Sequence, residues 1–309
     1  MTTAGHAAIR SRGPWELAFE RLRRDRAAIA AATALVVVVL VAVLAPAIAK
    51  AVGHGPGEQF LDVGLSPSGI PVGPSRAFLL GTDGLGRDVL VRIAYGTRVS
   101  LLVGVLASAL AVLVGTVVGI AAGWYGGTAD RALSRTMDVF LALPFLVFAL
   151  ALVAVVGPSL TISVTVIAFF SWASVGRVVR AQALSIRELE YVQAALTLGA
   201  GHARIMFIEI LPNVTASVIV YATLLIPGAI VAEATLSFLG LSVVPPTPSW
   251  GNMLADAMAY YKVAWWFVLF PGAALLLTTV AFNVLGDSVR DALDPKHDPS
   301  MAVSAEEAR

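Results

Sequence analysis

An all-α integral membrane protein with six transmembrane helices is the fold class this sequence predicts. Three observations carry that expectation. The 309 residues are 58% hydrophobic and only 13% charged, with a mean hydropathy of +0.84, whereas soluble domains are about 45–50% apolar and about 25% charged. Uncharged runs recur at the ~20-residue length that a bilayer-crossing helix needs. The two-residue alternation of a membrane barrel is missing, and backbone groups in lipid must then be satisfied inside each helix.

The runs are read off in order. Residues 27–49 form the first and 99–123 the second. Residues 139–176 carry no charge and are long enough for two spans. Gly157-Pro158-Ser159 divides them, because proline removes a backbone donor and glycine permits a turn, giving spans over 139–156 and 160–176. Residues 214–236, uncharged except for Glu233, are the fifth span and 263–286 the sixth. A cleaved secretory signal would have an apolar core of about 7–15 residues; the first run has 23 and follows a 26-residue polar leader, which favours a permanent span.

Positive charges flanking the spans set the orientation. With a cytoplasmic N-terminus, 15 Lys and Arg lie inside (Arg10, Arg12, Arg21, Arg23, Arg24, Arg26, Arg131, Arg135, Arg177, Arg180, Arg187, Arg204, Arg290, Lys296, Arg309) and six outside (Lys50, Arg76, Arg87, Arg92, Arg98, Lys262). The expected organisation is a cytoplasmic N-terminal segment at 1–26, the first span at 27–49 and an extracytoplasmic segment at 50–98. A core follows at 99–286, with a cytoplasmic loop at 177–213, and then a cytoplasmic tail at 287–309.

Within the outer segment, "LLGTDGLGRDVLVRIAYGTRVSL" has Thr82 or Asp83 as a helix cap. Leu85, Val89, Leu90 and Ile93 fall at helical spacing, with Arg87, Asp88 and Arg92 on another face. That pattern predicts an amphipathic helix on the outer membrane surface; a solvated connector packed on the bundle is the plainer alternative. The loop "EYVQAALTLGAGHARIMFIEILPN" predicts a short helix from Glu190 to Leu198, a stop at Gly199, and a second helix from about His202 to Pro212. Two helices meeting at a glycine make an elbow that another protein can approach closely. A loop lying on the membrane fits the pattern equally well.

Glu233 is the ionisable group closest to membrane depth in the fifth span, so it is either functional or bonded locally. Pro144, Pro227 and Pro271 are sites for kinks, and the run Pro245-Pro246-Thr247-Pro248-Ser249-Trp250-Gly251 reads as a stiff outer loop. Several chemistries are excluded. There is no cysteine for thiol or disulfide chemistry. No Gly-x-x-x-x-Gly-Lys-Ser/Thr loop is present to cradle phosphates. His6, His54, His202 and His297 have no ligand-spaced neighbours. A formal net charge of +1 provides no nucleic-acid face.

The elbow resembles the signature loop of ABC importer permeases: Glu-Ala-Ala, three residues, Gly, nine residues, Ile, one residue, Leu-Pro. Ala194, Ala195, Gly199, Leu211 and Pro212 fall at matching positions; Gln193 replaces the Glu and Glu209 the Ile. Residues 80–101 and 233–254 are similar to motifs of the second permease of dipeptide, oligopeptide and nickel importers. This resemblance implies a type I importer permease fold with a cytoplasmic coupling helix, in a bacterial cytoplasmic membrane. It implies a second permease, two ATPase subunits that use ATP and Mg, and an extracytoplasmic solute-binding protein, with no cofactor bound by this chain and no catalysis in it. Glu190, Gln193, Ala194, Ala195, Gly199, Ala200, Leu211 and Pro212 would seat in an ATPase groove. Asp83, Arg87, Asp88, Arg92, Glu233, Pro248 and Trp250 are candidates for binding-protein docking or for the substrate path. The expected cargo is a dipeptide or oligopeptide, with nickel complexes as an alternative and ion-coupled transport poorly served by a lone Glu233.

Overall fold

The structure, a computed structural model, describes residues 14–293. Arg10, Arg12, Lys296 and Arg309 of the charge count, with His6 and His297, lie outside the described residues. Helices dominate, and among the described residues no β-strand occurs.

Helix α1 (Pro14–Arg24) is short and amphipathic. Asp25 interrupts the chain and caps α2 (Arg26–Val52) by accepting from Ala27 N at 2.8 Å. The outward side of α2 carries Val36, Leu40 and Val43, the pattern of a helix facing lipid. Residues 53–88 then fold into a cap with a single helical turn, α3 (Leu61–Gly64), and two isolated bridges.

The cap corrects one expectation. Residues 82–88 form no helix and do not lie amphipathically on a surface; the helix begins at Val89, with Asp88 as its cap. Gly86 adopts a left-handed φ of 71°, which a helix cannot pass through, and Asp83 spends its carboxylate on a turn rather than a helix end.

Helix α4 (Val89–Tyr125) therefore runs unbroken through the second predicted span and starts well before it. Helix α5 (Gly127–Ala142) and α6 (Phe145–Val156) are bent by 83° at Leu143-Pro144. The third span is thus a broken one, because Pro144 cannot continue α5 and holds Leu143 extended. Ser159 caps α7 (Leu160–Arg187) after the expected turn. Helix α8 (Glu190–Thr197) follows, then α9 (His202–Arg204), a π-helical stretch Ile205–Ile210 and α10 (Leu211–Phe238).

This last run is a second correction. The helix from His202 does not end at Pro212 but continues into the fifth span. The widened ladder, in which Leu211 N reaches Met206 O, relieves the backbone just where proline lacks a donor and crowds the preceding turn. Helix α11 (Trp250–Ala257) starts one residue after Ser249, so Trp250 and Gly251 belong to a helix and not to the proline-rich loop. Helix α12 (Trp265–Leu293) closes the bundle. Among the described residues five helical stretches are long and apolar enough to cross a membrane, and the bent pair, counted as one span, brings the number to six.

The most extensive contact joins α4 to α7. Gly115, Gly119 and Gly123 recur every four residues along α4. A Cβ at them would stand 2.6 Å from Trp172 O, Gly176 O and Ala183 Cβ respectively. Backbone-to-backbone approach of this kind is how membrane helices gain van der Waals contact without help from hydrophobic burial. Helix α10 packs against both α4 and α12, and α2 lies outside against the same two.

Candidate functional site

The elbow is built on one apolar knob. Val192, 0% exposed, is the single buried residue of α8. It sits in a cluster with Ile120 and Trp124 of α4, Val175, Val179 and Ala183 of α7, and Ile205, Ile210 and Val214 at the entry to α10. Burying such a side chain contributes roughly 1.5–3 kcal/mol. Polar ties fix the helix around that knob. Gln193 Nε2 donates to Arg187 O (2.8 Å), Asn213 Nδ2 donates to Tyr191 Oη (3.0 Å), and Arg187 Nη1 donates to Trp124 O (3.4 Å).

Most of the elbow residues expected to meet a partner face outward. Glu190, Gln193, Ala194, Gly199 and Pro212 are exposed, while Ala195, Ala200 and Leu211 are half-buried. Leu198, at the tip, is 88% exposed. Gly199 stops the helix with φ at 85°, and nothing lies within 4 Å of where its Cβ would be. The glycine is therefore required by backbone conformation and not by crowding within this chain. Beside α8 a cleft of about 390 Å³ is lined by Trp124, Arg187, Gln193, Leu196 and His202, with Trp124 Nε1 bonded to His202 Nδ1 at 3.0 Å. Sequence reasoning missed Arg187, Trp124 and Asn213, because nothing in local spacing links them to α8. At position 193 an amide suits this geometry, since a carboxylate has no hydrogen to donate to Arg187 O.

At the opposite end, the charged residues of the cap are drawn together and buried. Asp83 accepts from Leu85 N and Arg87 N (both 2.9 Å) and from Arg87 Nε (2.6 Å), and Arg92 Nε lies 3.2 Å from it. Arg87 also reaches Asp256 of α11 at 3.4 Å. Burial pushes the Asp256 carboxyl above the usual carboxylate range, with Arg87 and Arg92 opposing. Asp88 caps α4 through Leu90 N and Val91 N and meets His54 Nδ1 at 2.7 Å. His54 stacks on Phe78 with centroids 5.0 Å apart. Asp83, Arg87, Asp88 and Arg92 therefore hold the cap to α4 and α11 and present little or no surface to a partner.

Glu233 is fully buried on α10, accepting from Ser100 Oγ of α4 (2.8 Å) and from Ser237 Oγ (2.6 Å). Hydrogen bonding of this kind is what lets a carboxyl survive at depth. Pro248 and Trp250 are buried beneath the exposed Pro245-Pro246-Thr247 run. Ser249 and Asn252 close a reciprocal capping box on α11. His54, Asp256 and Ser100 had no sequence signal, their partners being distant along the chain.

Residues 115–298, which include the elbow, match the family described as binding-protein-dependent transport system inner membrane component. The chain belongs to this family. Its members are the permease subunits of ABC importers, so the chain is a multi-pass inner-membrane protein and a non-catalytic transport component. Residues 13–66, spanning α1, α2 and the start of the cap, match the N-terminal TM domain of oligopeptide transport permease C. A di/tripeptide transport system permease protein of Pseudomonas aeruginosa is 46% identical over 241 residues, 78% of this chain and 80% of that one. A dipeptide transport system permease protein of Alkalihalophilus pseudofirmus is 41% identical over 283 residues, 92% of this chain and 90% of its own. A glutathione transport system permease protein of Pectobacterium atrosepticum is 42% identical over 224 residues, 72% and 74% of the two chains. The chain falls in the dipeptide and oligopeptide group of the family.

Proposed function

We propose that this chain is the second permease of an ATP-driven peptide importer and forms half of the path for a dipeptide or oligopeptide. The termini and α8 lie on the cytoplasmic side, and the cap and α11 on the other. It works with a similar permease, two ATPase subunits that use ATP and Mg, and an extracytoplasmic solute-binding protein. The names of these three relatives, peptide and glutathione permeases, support peptide over nickel.

One observation carries the coupling role: Val192 is buried among α4, α7 and α10 while Leu198, six residues on, stands clear of the protein. A surface seated on Glu190, Ala194, Ala195, Gly199 and the exposed Leu198 would grip α8 from outside. Because Gln193 ties α8 to the end of α7, and Tyr191 ties it to Asn213 in α10, a displacement of α8 must move both spans. ATP-driven closure of the motor then opens the path outward, and hydrolysis reverses it. Coupling requires only that the two conformations bind ATP and the loaded binding protein unequally. At the other end, Pro245, Pro246 and Thr247 are exposed and offer the docking surface that the buried cap charges cannot.

The test is reconstitution. The complete complex in liposomes should accumulate a labelled dipeptide only with ATP and the binding protein, and the isolated chain should hydrolyse no ATP. Uptake by the isolated chain driven by an ion gradient would overturn the proposal.

A further inference from the structure

A cavity of about 330 Å³ opens between α6, α7 and α10, lined in part by Phe145, Phe170, Ser171, Ser174, Gly228 and Ala232. At 1.5 Å per residue, Phe170 to Ser174 lie about 15–21 Å along α7 from its start. The cavity is therefore at bilayer depth, and its volume is within the roughly 300–1,000 Å³ of small-molecule sites.

Its chemistry is mixed. Phe145 and Phe170 meet edge to face with centroids 5.5 Å apart, and Phe148 braces Phe170 at 5.2 Å, giving a wall of fixed rings. Ser174 Oγ donates to Ser171 O at 2.7 Å and keeps its lone pairs. Ser171 Oγ has no hydrogen-bond partner among the described residues. A hydroxyl left unpaired against hydrocarbon costs free energy that water or a polar passenger removes, and an acyl chain offers it nothing. Across the cavity, Gly228 has no atom within 4 Å of its Cβ position, so the α10 backbone is uncovered there. The preceding Pro227 withdraws a donor from α10 at the same level.

We propose that this cavity is a transit subsite for the peptide, with Phe145 and Phe170 receiving an apolar side chain and Ser171 hydrogen-bonding a backbone amide of the passenger. A peptide supplies both groups side by side, whereas an acyl chain supplies only the apolar one. The proposal rests on the peptide-import reading, and the experiment separates the two.

The chain has no cysteine, so Ser171→Cys gives it a single thiol. In the full complex with cysteine-free partners, a charged, water-soluble methanethiosulfonate should modify that thiol, and Leu-Leu dipeptide delivered by the binding protein should slow the reaction. Gly228→Leu, whose Cβ would meet nothing within 4 Å, should lower uptake of Leu-Leu relative to Gly-Gly by about tenfold or more, the scale on which a filled pocket discriminates side chains. ATP hydrolysis and subunit recovery should stay at wild-type levels. Reaction with a lipid-soluble maleimide only would assign the cavity to acyl chains. Crosslinking of the thiol to the second permease without labelling would assign it to the subunit interface. Either result, or an unchanged Leu-Leu to Gly-Gly ratio, overturns the proposal. If the wild-type complex moves no peptide, the peptide-import reading fails, while labelling by the charged reagent still reports whether the cavity is a water-filled path.

Discussion

Replacing Val192 with alanine isolates the attachment of α8 from everything else in the bundle. Two methyl carbons are lost from a fully buried site. At about 0.8 kcal/mol per methylene equivalent, plus an allowance for the space left behind, the cost is about 2 kcal/mol. Val192 is the only buried residue of α8, so that cost falls on the docked state of the helix and not on the packing of α4 against α7. A change of about 2 kcal/mol is about 30-fold in an equilibrium constant, so α8 should open about 30 times more often. Hydrogen exchange on the complex in nanodiscs reads this directly: amides of residues 190–199 should lose protection by about that factor, while amides in the middle of α4 and α7 keep theirs. Transport should fall more than ATP hydrolysis, since a loosely hung helix receives motion without passing it on. Equal loss of protection throughout the bundle, or no loss at 190–199, would refute the attachment argument.

Gly199→Asn should be tolerated better than Gly199→Ala, and Gly199→Val least, because the left-handed backbone and not steric room excludes side chains here; uptake ranked by side-chain volume instead would mean that contact with the ATPase decides. Asp83→Asn places a donor against the buried Arg87 and should cost about 3–5 kcal/mol, so trypsin should cut after Arg87 in the variant well before it does in the wild type. Removing the Ser100 hydroxyl (Ser100→Ala) should lower stability by about 1 kcal/mol, read as a modest fall in the thermal midpoint, and Glu233→Ala should lower the midpoint further by orphaning two hydroxyls. A hydrogen bond from Ser288 holds the Asp25 carboxyl below its usual range. The tie from Asp25, at the α1–α2 junction, to Ser288 of α12 is therefore complete above the unfolded value of about 3.9 and is lost as pH falls through the lower folded value. A spin-label distance from the α1–α2 junction to the end of α12 should lengthen on that acidification in the wild type and already be longer at neutral pH in Asp25→Ala.

The membrane class and the location of five of the six spans were legible because they depend on summed hydropathy, which one sequence states fully. The elbow was legible because Gly199 and the small and apolar residues of α8 are local signals. The start of α4 was not. The spacing puts the cap at Thr82 or Asp83 and Asp88 inside the helix, and only the fold of the cap, where Asp83 meets Arg87 and Arg92, leaves the helix end to Asp88. Pro212 reads as a terminator, and the π-helical stretch that absorbs it leaves no mark in composition. The cap charges do gather in one place, but polarity suggested a surface, and pairing across 34 residues for His54 with Asp88, and 169 for Arg87 with Asp256, put them inside.

Helix α4 is 37 residues long, a rod of about 55 Å, and its two ends touch both working faces: Asp88 holds the cap, and Trp124 holds the elbow through Arg187 and His202. Locked to α7 along its glycine seam, it behaves as a stiff column. Helix α10 runs parallel to it in load but is soft in two places, at the π-helical stretch and at Pro227. Two members of unequal compliance joined at one loaded end do not deflect alike. On the proposed coupling, the column would transmit thrust to the far face with little change of shape, and the soft member would take up the strain as bending. A single stroke at α8 would thereby be split into a signal and a gate.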